Sequence, residues 1–116
     1  MGFNKNKHRR NPFILIEKRL IESAVWAQIK QVGRDIYVEL KRNFNGFNNG
    51  QLICCYTFMR KKYGYGYGTL HRGFKKLEEL ELIKMTERGE LAGLSGKKAN
   101  KYLLIGKHER IIEEKS

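Results

Sequence analysis

Hydrophobic residues in the second half of the chain recur every three or four positions, which places them on one face of an α-helix. Between residues 68 and 82 these positions hold Leu70, Phe74, Leu77 and Leu80. The basic residues Arg72, Lys75 and Lys76, together with His71, lie off this stripe, and Glu78 and Glu79 fall toward the end of the segment. The pattern predicts an amphipathic helix with a buried apolar stripe and a basic exposed face.

The first 44 residues predict one extended segment and two helices, or one helix that bends near Gly33. Residues 12–21 begin with apolar side chains and are expected to be extended and to pack on the body. Ser23 then offers a hydroxyl that can cap the start of a helix. Helical spacing returns further on at four apolar positions, which are Ile36, Tyr37, Leu40 and Phe44.

Shorter elements connect and follow these helices. Residues 43–50 are rich in Asn and Gly, which tolerate positive φ, so they predict a helix stop and a tight turn. We expect a short strand at residues 51–54 and a short helix at residues 56–63, with Met59 and Tyr63 on one side. Residues 83–86 and 100–105 predict two strands that pair as a hairpin across a long loop. The expected fold class is mainly α with a small β-hairpin.

The net charge of the chain indicates what kind of partner it binds. Lys and Arg number 24 against 12 acidic residues, so the formal net charge is +12. Such a balance favours a polyanionic partner, either nucleic acid or an anionic membrane surface. No run is long enough for a membrane-spanning helix and no leader resembles a signal peptide, so we expect no membrane partner and a cytoplasmic location.

Acidic and basic residues are also segregated along the chain. No acid occurs between Glu39 and Glu78, and a second acid-free stretch separates Glu90 from Glu109. The first stretch holds eight basic residues: Lys41, Arg42, Arg60, Lys61, Lys62, Arg72, Lys75 and Lys76. Segregation of this kind indicates a basic face rather than an evenly mixed surface.

Candidate catalytic and metal-binding residues form no pattern. Cys54 and Cys55 are neighbours, which rarely form a disulfide, and a single pair lacks the spacing of a zinc site. We interpret them as two reduced thiols, one of them buried. The three histidines lie far apart, and none of the serines Ser23, Ser95 and Ser116 has a plausible catalytic base. We therefore expect a protein that is not an enzyme and uses no cofactor or metal.

The stretch KKYGYGYGTLHR, residues 61–72, alternates tyrosine with glycine and is framed by basic residues. It could cradle a phosphate, present a stacking surface for bases, or turn one helix into the next. A phosphate loop is disfavoured, because the stretch follows a helix rather than a strand and no GK[ST] occurs. The tyrosines Tyr63, Tyr65 and Tyr67 among basic residues suit single-stranded nucleic acid. The remaining interpretation is a turn between helices.

The order helix, helix, short strand, helix, turn, amphipathic helix and hairpin resembles the winged helix-turn-helix family, over roughly residues 26–105. The resemblance makes Gly64 the turn glycine, Tyr65 the buried residue of the turn and Gly66 the helix cap. It places the winged-helix domain at residues 13–106, while the polar and basic opening of the chain predicts a flexible arm at 1–12 and the last residues predict a tail or short helix at 107–116. The sequence departs from the family's usual pattern with Arg60 in place of a small residue, with Gly68 and Gly73 in the second helix, and with Glu81 in place of a glycine.

The resemblance further implies sequence-directed binding of double-stranded DNA, as a small transcriptional regulator or as the DNA-binding module of a replication initiator. The second helix would supply Tyr67, Thr69, His71, Arg72, Lys75 and Lys76. Lys61 and Lys62 would contact DNA before it, and Lys97 and Lys98 would do so from the hairpin loop. A homodimer is also among the expected assemblies. Two alternatives stay open, namely a binder of single-stranded DNA or RNA and a winged-helix module that binds an acidic protein.

Overall fold

The computed structural model describes residues 13–89 and 99–105, and these form five helices and a two-stranded antiparallel sheet. The helices are α1 (Lys18–Ile21), α2 (Ala24–Gln28), α3 (Lys30–Asn43), α4 (Tyr56–Tyr63) and α5 (Tyr67–Glu79), and the strands are β1 (Ile83–Glu87) and β2 (Lys101–Leu104). The mainly helical class with a small hairpin is thereby confirmed. The predicted arm at residues 1–12, the lysines Lys97 and Lys98 and the tail at 107–116 lie outside the described residues.

The N-terminal part differs from the prediction in two places. Residues 18–21 are helical rather than extended, because Leu20 turns inward and is buried in the core. The break between α2 and α3 falls at Lys30, whose φ is 62°, and not near Gly33. Gly33 lies inside α3, where a Cβ atom would come within 2.9 Å of the Ile29 Cβ. The predicted cap at Ser23 is confirmed, since its hydroxyl oxygen accepts a hydrogen bond from the Trp26 N–H.

Helix α5 packs closely against α3. A Cβ atom on Gly73 would lie 2.9 Å from the Ile36 Cδ1 and 3.2 Å from both methyl groups of Val32. Leu70, Phe74 and Leu77 of the predicted stripe are buried beside this contact, and Leu80 is half-buried. Gly73 therefore has a packing reason to be in the helix, because its missing side chain lets the two backbones approach.

The predicted strand at residues 51–54 is reduced to one bridge. Leu52 and Tyr102 exchange two backbone hydrogen bonds, so β2 lies between Leu52 and β1. On one side of Leu52, the side-chain amide of Asn49 replaces the backbone by donating to the Leu104 carbonyl and accepting from its N–H. On the other side, the Ile53 carbonyl accepts a hydrogen bond from the Asn43 side chain. Side-chain amides thus take the bonds that would have extended the strand.

Asparagine side chains also organise the turn that follows α3. Asn45 Oδ1 accepts hydrogen bonds from the N–H groups of Phe47 and Asn48, and Gly46 and Gly50 have positive φ as expected for this segment. Phe44 was predicted on the apolar stripe of α3, but it is the first residue beyond the helix and is exposed. The helix stop and tight turn are confirmed, whereas Phe44 does not belong to the buried face.

Helix α5 ends in a paired-hydrogen-bond motif that turns the chain toward β1. The N–H of Leu82 bonds to the Leu77 carbonyl and that of Glu81 to the Glu78 carbonyl, which is the Schellman arrangement. Glu81 has φ = 62°, the left-handed conformation that glycine adopts most easily. The structure therefore shows the backbone of a C-terminal glycine with glutamate in its place. Leu77 and Leu82, both buried, hold the motif from the core side.

Substitution of the two α5 glycines by alanine should change stability in opposite directions. Gly73→Ala places a methyl group against Ile36 and Val32, and overpacking of about 1–3 kcal/mol outweighs the gain of about 1 kcal/mol in helix propensity. Gly68→Ala meets only an ordinary contact with the Arg72 side chain and should gain up to about 1 kcal/mol. Thermal unfolding of both variants measures this, and equal stabilisation by the two would contradict the close α3–α5 contact.

Relief of the left-handed backbone at Glu81 should also be measurable. Glu81→Gly and Glu81→Ala both remove the carboxylate, but only alanine keeps a Cβ at φ = 62°. The glycine variant should therefore be more stable than the alanine variant by about 1 kcal/mol. Urea unfolding of both proteins gives the difference directly. An alanine variant that equals or exceeds the glycine variant would show that the backbone there carries no strain.

Candidate nucleic-acid interface

Helices α4 and α5 are joined by a three-residue turn, residues 64–66. Gly64 ends α4 with φ = 84°, and its N–H bonds to the Arg60 carbonyl. Gly66 occupies the cap position of α5, where it supplies no side-chain hydrogen bond. Both expected turn roles are thus confirmed. A Cβ atom at Gly64 or Gly66 would meet no neighbouring atom within 4 Å, so the surface beside the start of α5 is open.

Two of the three tyrosines in the Gly-Tyr stretch face α3. Tyr63 donates its hydroxyl to Glu39 Oε2 at 2.6 Å, and Tyr65 donates to Asp35 Oδ2 at 2.6 Å. Their rings stack on each other with centroids 5.9 Å apart. Tyr65 was expected to be buried between α4 and α5, but it is half-buried and its polar end is fixed by α3. Asp35 and Glu39 are four residues apart and therefore lie on one face of α3, where their carboxylates accept hydrogen bonds from both tyrosines.

Glu39 is the buried charge of this cluster, with only 1% of its surface exposed. Lys62 Nζ lies 2.7 Å from Oε2, and Arg42 Nη1 lies 3.4 Å from Oε1. Burial alone would raise the pKa of the carboxyl, but the hydrogen bonds from Lys62 and Tyr63 and the nearby positive charges outweigh it and hold the pKa below its usual value. The carboxylate therefore stays ionised and ties α4 to α3.

The same cluster keeps both phenols protonated. Burial, followed by the hydrogen bond to Glu39, raises the pKa of the Tyr63 phenol. Burial and the hydrogen bond to Asp35 raise the pKa of Tyr65 to about 12. At neutral pH both hydroxyls therefore remain donors to α3, and the two rings are held in place as parts of the fold.

The third tyrosine, Tyr67, belongs to a column of aromatic rings. Its centroid lies 5.6 Å from that of Tyr56, which in turn stacks on Phe74 at 5.4 Å with the ring planes 2° apart. Phe74 continues the column to Tyr102 of β2 at 5.1 Å. At the outer end, the Arg60 guanidinium lies 4.5 Å from the Tyr67 centroid. The column runs from the buried sheet to the surface at the start of α5, where Tyr67 is 47% exposed.

The site residues predicted on α5 differ in exposure and in their contacts. His71, Arg72 and Lys75 are exposed on the face opposite the buried stripe, at helical spacing from the exposed Gly68. Thr69 is half-buried, with its hydroxyl oxygen 3.5 Å from an Arg72 nitrogen, and Lys76 lies 3.7 Å from the Glu79 carboxylate. The first half of α5 thus presents positive charge, and acids enter only at its end.

The lysines predicted before α5 also differ from each other. Lys61 is exposed, whereas Lys62 is engaged with Glu39 and has 44% of its side chain exposed. Lys62 therefore has a structural partner that the sequence pattern did not reveal. Arg60 belongs to the basic residues of the acid-free stretch and departs from the family pattern, but it was not among the predicted site residues; the structure places it beside the start of α5.

Comparison of the chain with models of protein families, with curated proteins and with solved structures finds no match. Among the described residues, no group of three His, Cys, Asp or Glu side chains could hold a metal ion. Within that same part of the chain, no helix has the length and apolar character needed to cross a membrane. Cys54 and Cys55 are both free, the first buried and the second exposed, as predicted.

Part of the aromatic column could have been found from the sequence. Tyr56 and Arg60 are four residues apart on α4, and Tyr67 and Phe74 are seven apart on α5, so each pair shares a helix face. What the spacing could not supply is that the two faces meet. The pairing of Glu39 with Lys62 and Tyr63 joins residues more than 20 positions apart, and no local pattern marks it.

Removal of the Tyr63 hydroxyl should destabilise the protein in a pH-dependent way. The pKa of Glu39 in the folded protein lies below the reference value of 4.5. The ionised carboxylate therefore stabilises the fold fully above pH 4.5, and this stabilisation is lost as the pH falls through the folded pKa. Tyr63→Phe removes a hydrogen bond to a buried carboxylate and should cost about 1.5–3 kcal/mol at pH 7. The cost should shrink in urea unfolding as the pH is lowered from 7 to 3.

Tyr65→Phe is the matched control, because it removes the same group from a hydrogen bond to the half-buried Asp35. We expect a smaller loss of about 0.5–1.5 kcal/mol. Equal losses for the two variants, or a Tyr63→Phe loss that is independent of pH, would show that Glu39 is not the centre of the cluster.

Proposed function

We propose that the described part of the chain is a winged helix-turn-helix domain that binds double-stranded DNA with sequence preference. In this proposal α5 enters the major groove, and α4 and the loop of the β1–β2 hairpin contact the flanking backbone. The observation that carries the proposal is the exposed face of α5, which is basic, free of acids over its first half, and opposite the face that packs on α3. The domain would act as a small transcriptional regulator or as the DNA-binding module of a replication initiator.

The order of elements supports this architecture. A winged helix has three helices and three strand positions, and the chain follows the same order with α3, the Leu52 bridge, α4, α5, β1 and β2. In the sheet, β2 lies between the Leu52 bridge and β1. The α4–α5 connection is a tight turn closed by a left-handed glycine, which suits the helix-turn-helix unit. The proposal treats the hairpin loop as the wing.

The dimensions and charge of α5 suit the major groove. Its 13 residues span about 20 Å, and an α-helix fits a groove about 12 Å wide. His71, Arg72 and Lys75 are exposed on one side, while Gly66 and Gly68 leave the helix start unobstructed. The start of α5 has no side-chain cap and no acid in its first turn, which suits an approaching phosphate, and the exposed side chains behind it can reach base edges.

The alternative of single-strand binding through three tyrosines receives less support. Tyr63 and Tyr65 stack on each other and donate their hydroxyls to α3, so their rings are already used by the fold. Tyr67 has Arg60 over its ring and Tyr56 beside it. A stacking platform for bases needs exposed ring faces. Duplex binding through α5 makes no such demand.

Salt dependence tests the class of partner. Neutralisation of six to eight phosphates by α5, α4 and the hairpin loop should make log K fall with log salt at a slope of about −5 to −7 on duplex DNA. The duplex is chosen by selecting bound sites from a random pool, and single strands of the same sequence compete in parallel. A slope near zero would exclude nucleic acid, and a preference for the single strand would favour the alternative.

One arginine variant and one lysine variant distinguish contacts with base edges from contacts with the phosphate backbone. Arg72→Ala should reduce preference for the selected duplex over a random one by about 1–3 kcal/mol, because base-edge contacts discriminate between sequences. Lys61→Ala, on the exposed side of α4, should weaken binding to both duplexes by similar factors and flatten the salt slope by about 1. Titrations of both duplexes measure this. An Arg72→Ala protein that keeps its full preference would show that α5 does not read bases through this residue.

A further inference from the structure

We infer that Arg60 and Tyr67 act as one unit, in which the Tyr67 ring holds the Arg60 guanidinium at the start of α5 so that Arg60 reads a base edge of duplex DNA. This rests on the proposed function and adds to it a reading residue that lies on α4. It also changes the role of Tyr67, which becomes a positioning residue that supports the arginine instead of contacting bases itself.

The geometry of the pair supports this assignment. The guanidinium carbon of Arg60 lies 4.5 Å from the centroid of Tyr67, within the range of a cation–π contact. Tyr67 itself packs on Tyr56, which in turn stacks on the buried Phe74, so the ring is in contact with the core on one side. The arginine is thereby placed on a surface that the hydrophobic core fixes.

The guanidinium of Arg60 has donors to offer. Among the residues that the structure describes, it donates no hydrogen bond and forms no ion pair, and it lies over the Tyr67 ring. Two other cations differ in this respect, because Lys62 bonds to Glu39 and Lys76 pairs with Glu79. A guanidinium held over a ring keeps its N–H groups available, and a guanine edge with two acceptors matches that planar fork.

A base edge fits this arrangement better than a phosphate does. Phosphate contacts work through charge and tolerate a mobile side chain, as exposed lysines such as Lys61 and Lys75 provide. Bidentate recognition of a base requires a fixed plane and direction, and less side-chain entropy is lost when stacking has already fixed them. The aromatic column supplies that fixation at the edge of the helix that enters the groove.

Four variants of the full chain test the unit, with affinities measured on the selected and a random duplex. Arg60→Lys keeps the charge but loses the fork, and should lower the preference for the selected duplex roughly 5- to 150-fold. Tyr67→Leu removes the ring and should lower it similarly, whereas Tyr67→Phe keeps the ring and should retain preference within about twofold. The double variant Arg60→Lys with Tyr67→Leu should lose little more than either single variant, because the two residues act on one contact.

The outcomes distinguish this inference from the function on which it rests. A wild-type protein that binds no duplex removes both. If the wild-type protein prefers its selected duplex but Arg60→Lys keeps that preference, or weakens both duplexes equally, Arg60 is not a reading residue and the proposed function stands. Full additivity of the double variant would show that Tyr67 contributes independently of Arg60. Melting temperatures verify that each variant is folded, which we expect because both side chains are largely on the surface.

Discussion

The carboxylate of Glu39 is almost out of contact with water, yet it stays charged because Lys62 and Tyr63 reach it from α4. This contact fixes the end of α4 on α3, and α3 in turn packs on α5 through Gly73. The relative placement of α4 and α5 therefore depends on a buried charge on one side and on a missing side chain on the other. A buried charge costs free energy unless its partners stay in place, so the arrangement tolerates little variation in the angle between the helices.

The Gly-Tyr stretch is explained by this arrangement. Its glycines let the chain turn within three residues, and its tyrosines contact two different parts of the fold. Tyr63 and Tyr65 bind α3, whereas Tyr67 joins the aromatic column at the start of α5. Two tyrosines thus support the turn from the α3 side, and the third supports it from the start of α5. The Gly-Tyr alternation looks like a low-complexity segment in the sequence, yet each of its three rings makes a different contact in the structure.

The sequence predicted the local elements well because their signals are local. The apolar stripe of α5, the cap at Ser23, the glycine of the turn and the Asn-rich helix stop all depend on residues within a few positions of each other. The failures have long-range causes. Leu20 turns inward to meet the core, Asn49 replaces a strand by bonding to Leu104, and Lys62 is taken by a carboxylate 23 residues away. Of the candidate site, the exposed basic face of α5 was predictable, whereas the support of Arg60 by Tyr67 required knowing that two helix faces meet.

Tyr102 has a consequence for the order in which the protein is made. Its backbone bonds to Leu52 and pairs with Met85, and its ring closes the aromatic column on Phe74. A ribosome releases the chain from its N-terminus, so the helices emerge before the residue that joins the sheet to α5. Until then, the cost of closing a loop of about 50 residues is not offset by its contacts. The nascent chain therefore carries Phe74 of α5 without its contact to Tyr102, and the surface proposed to read DNA is completed only after Tyr102 has been translated.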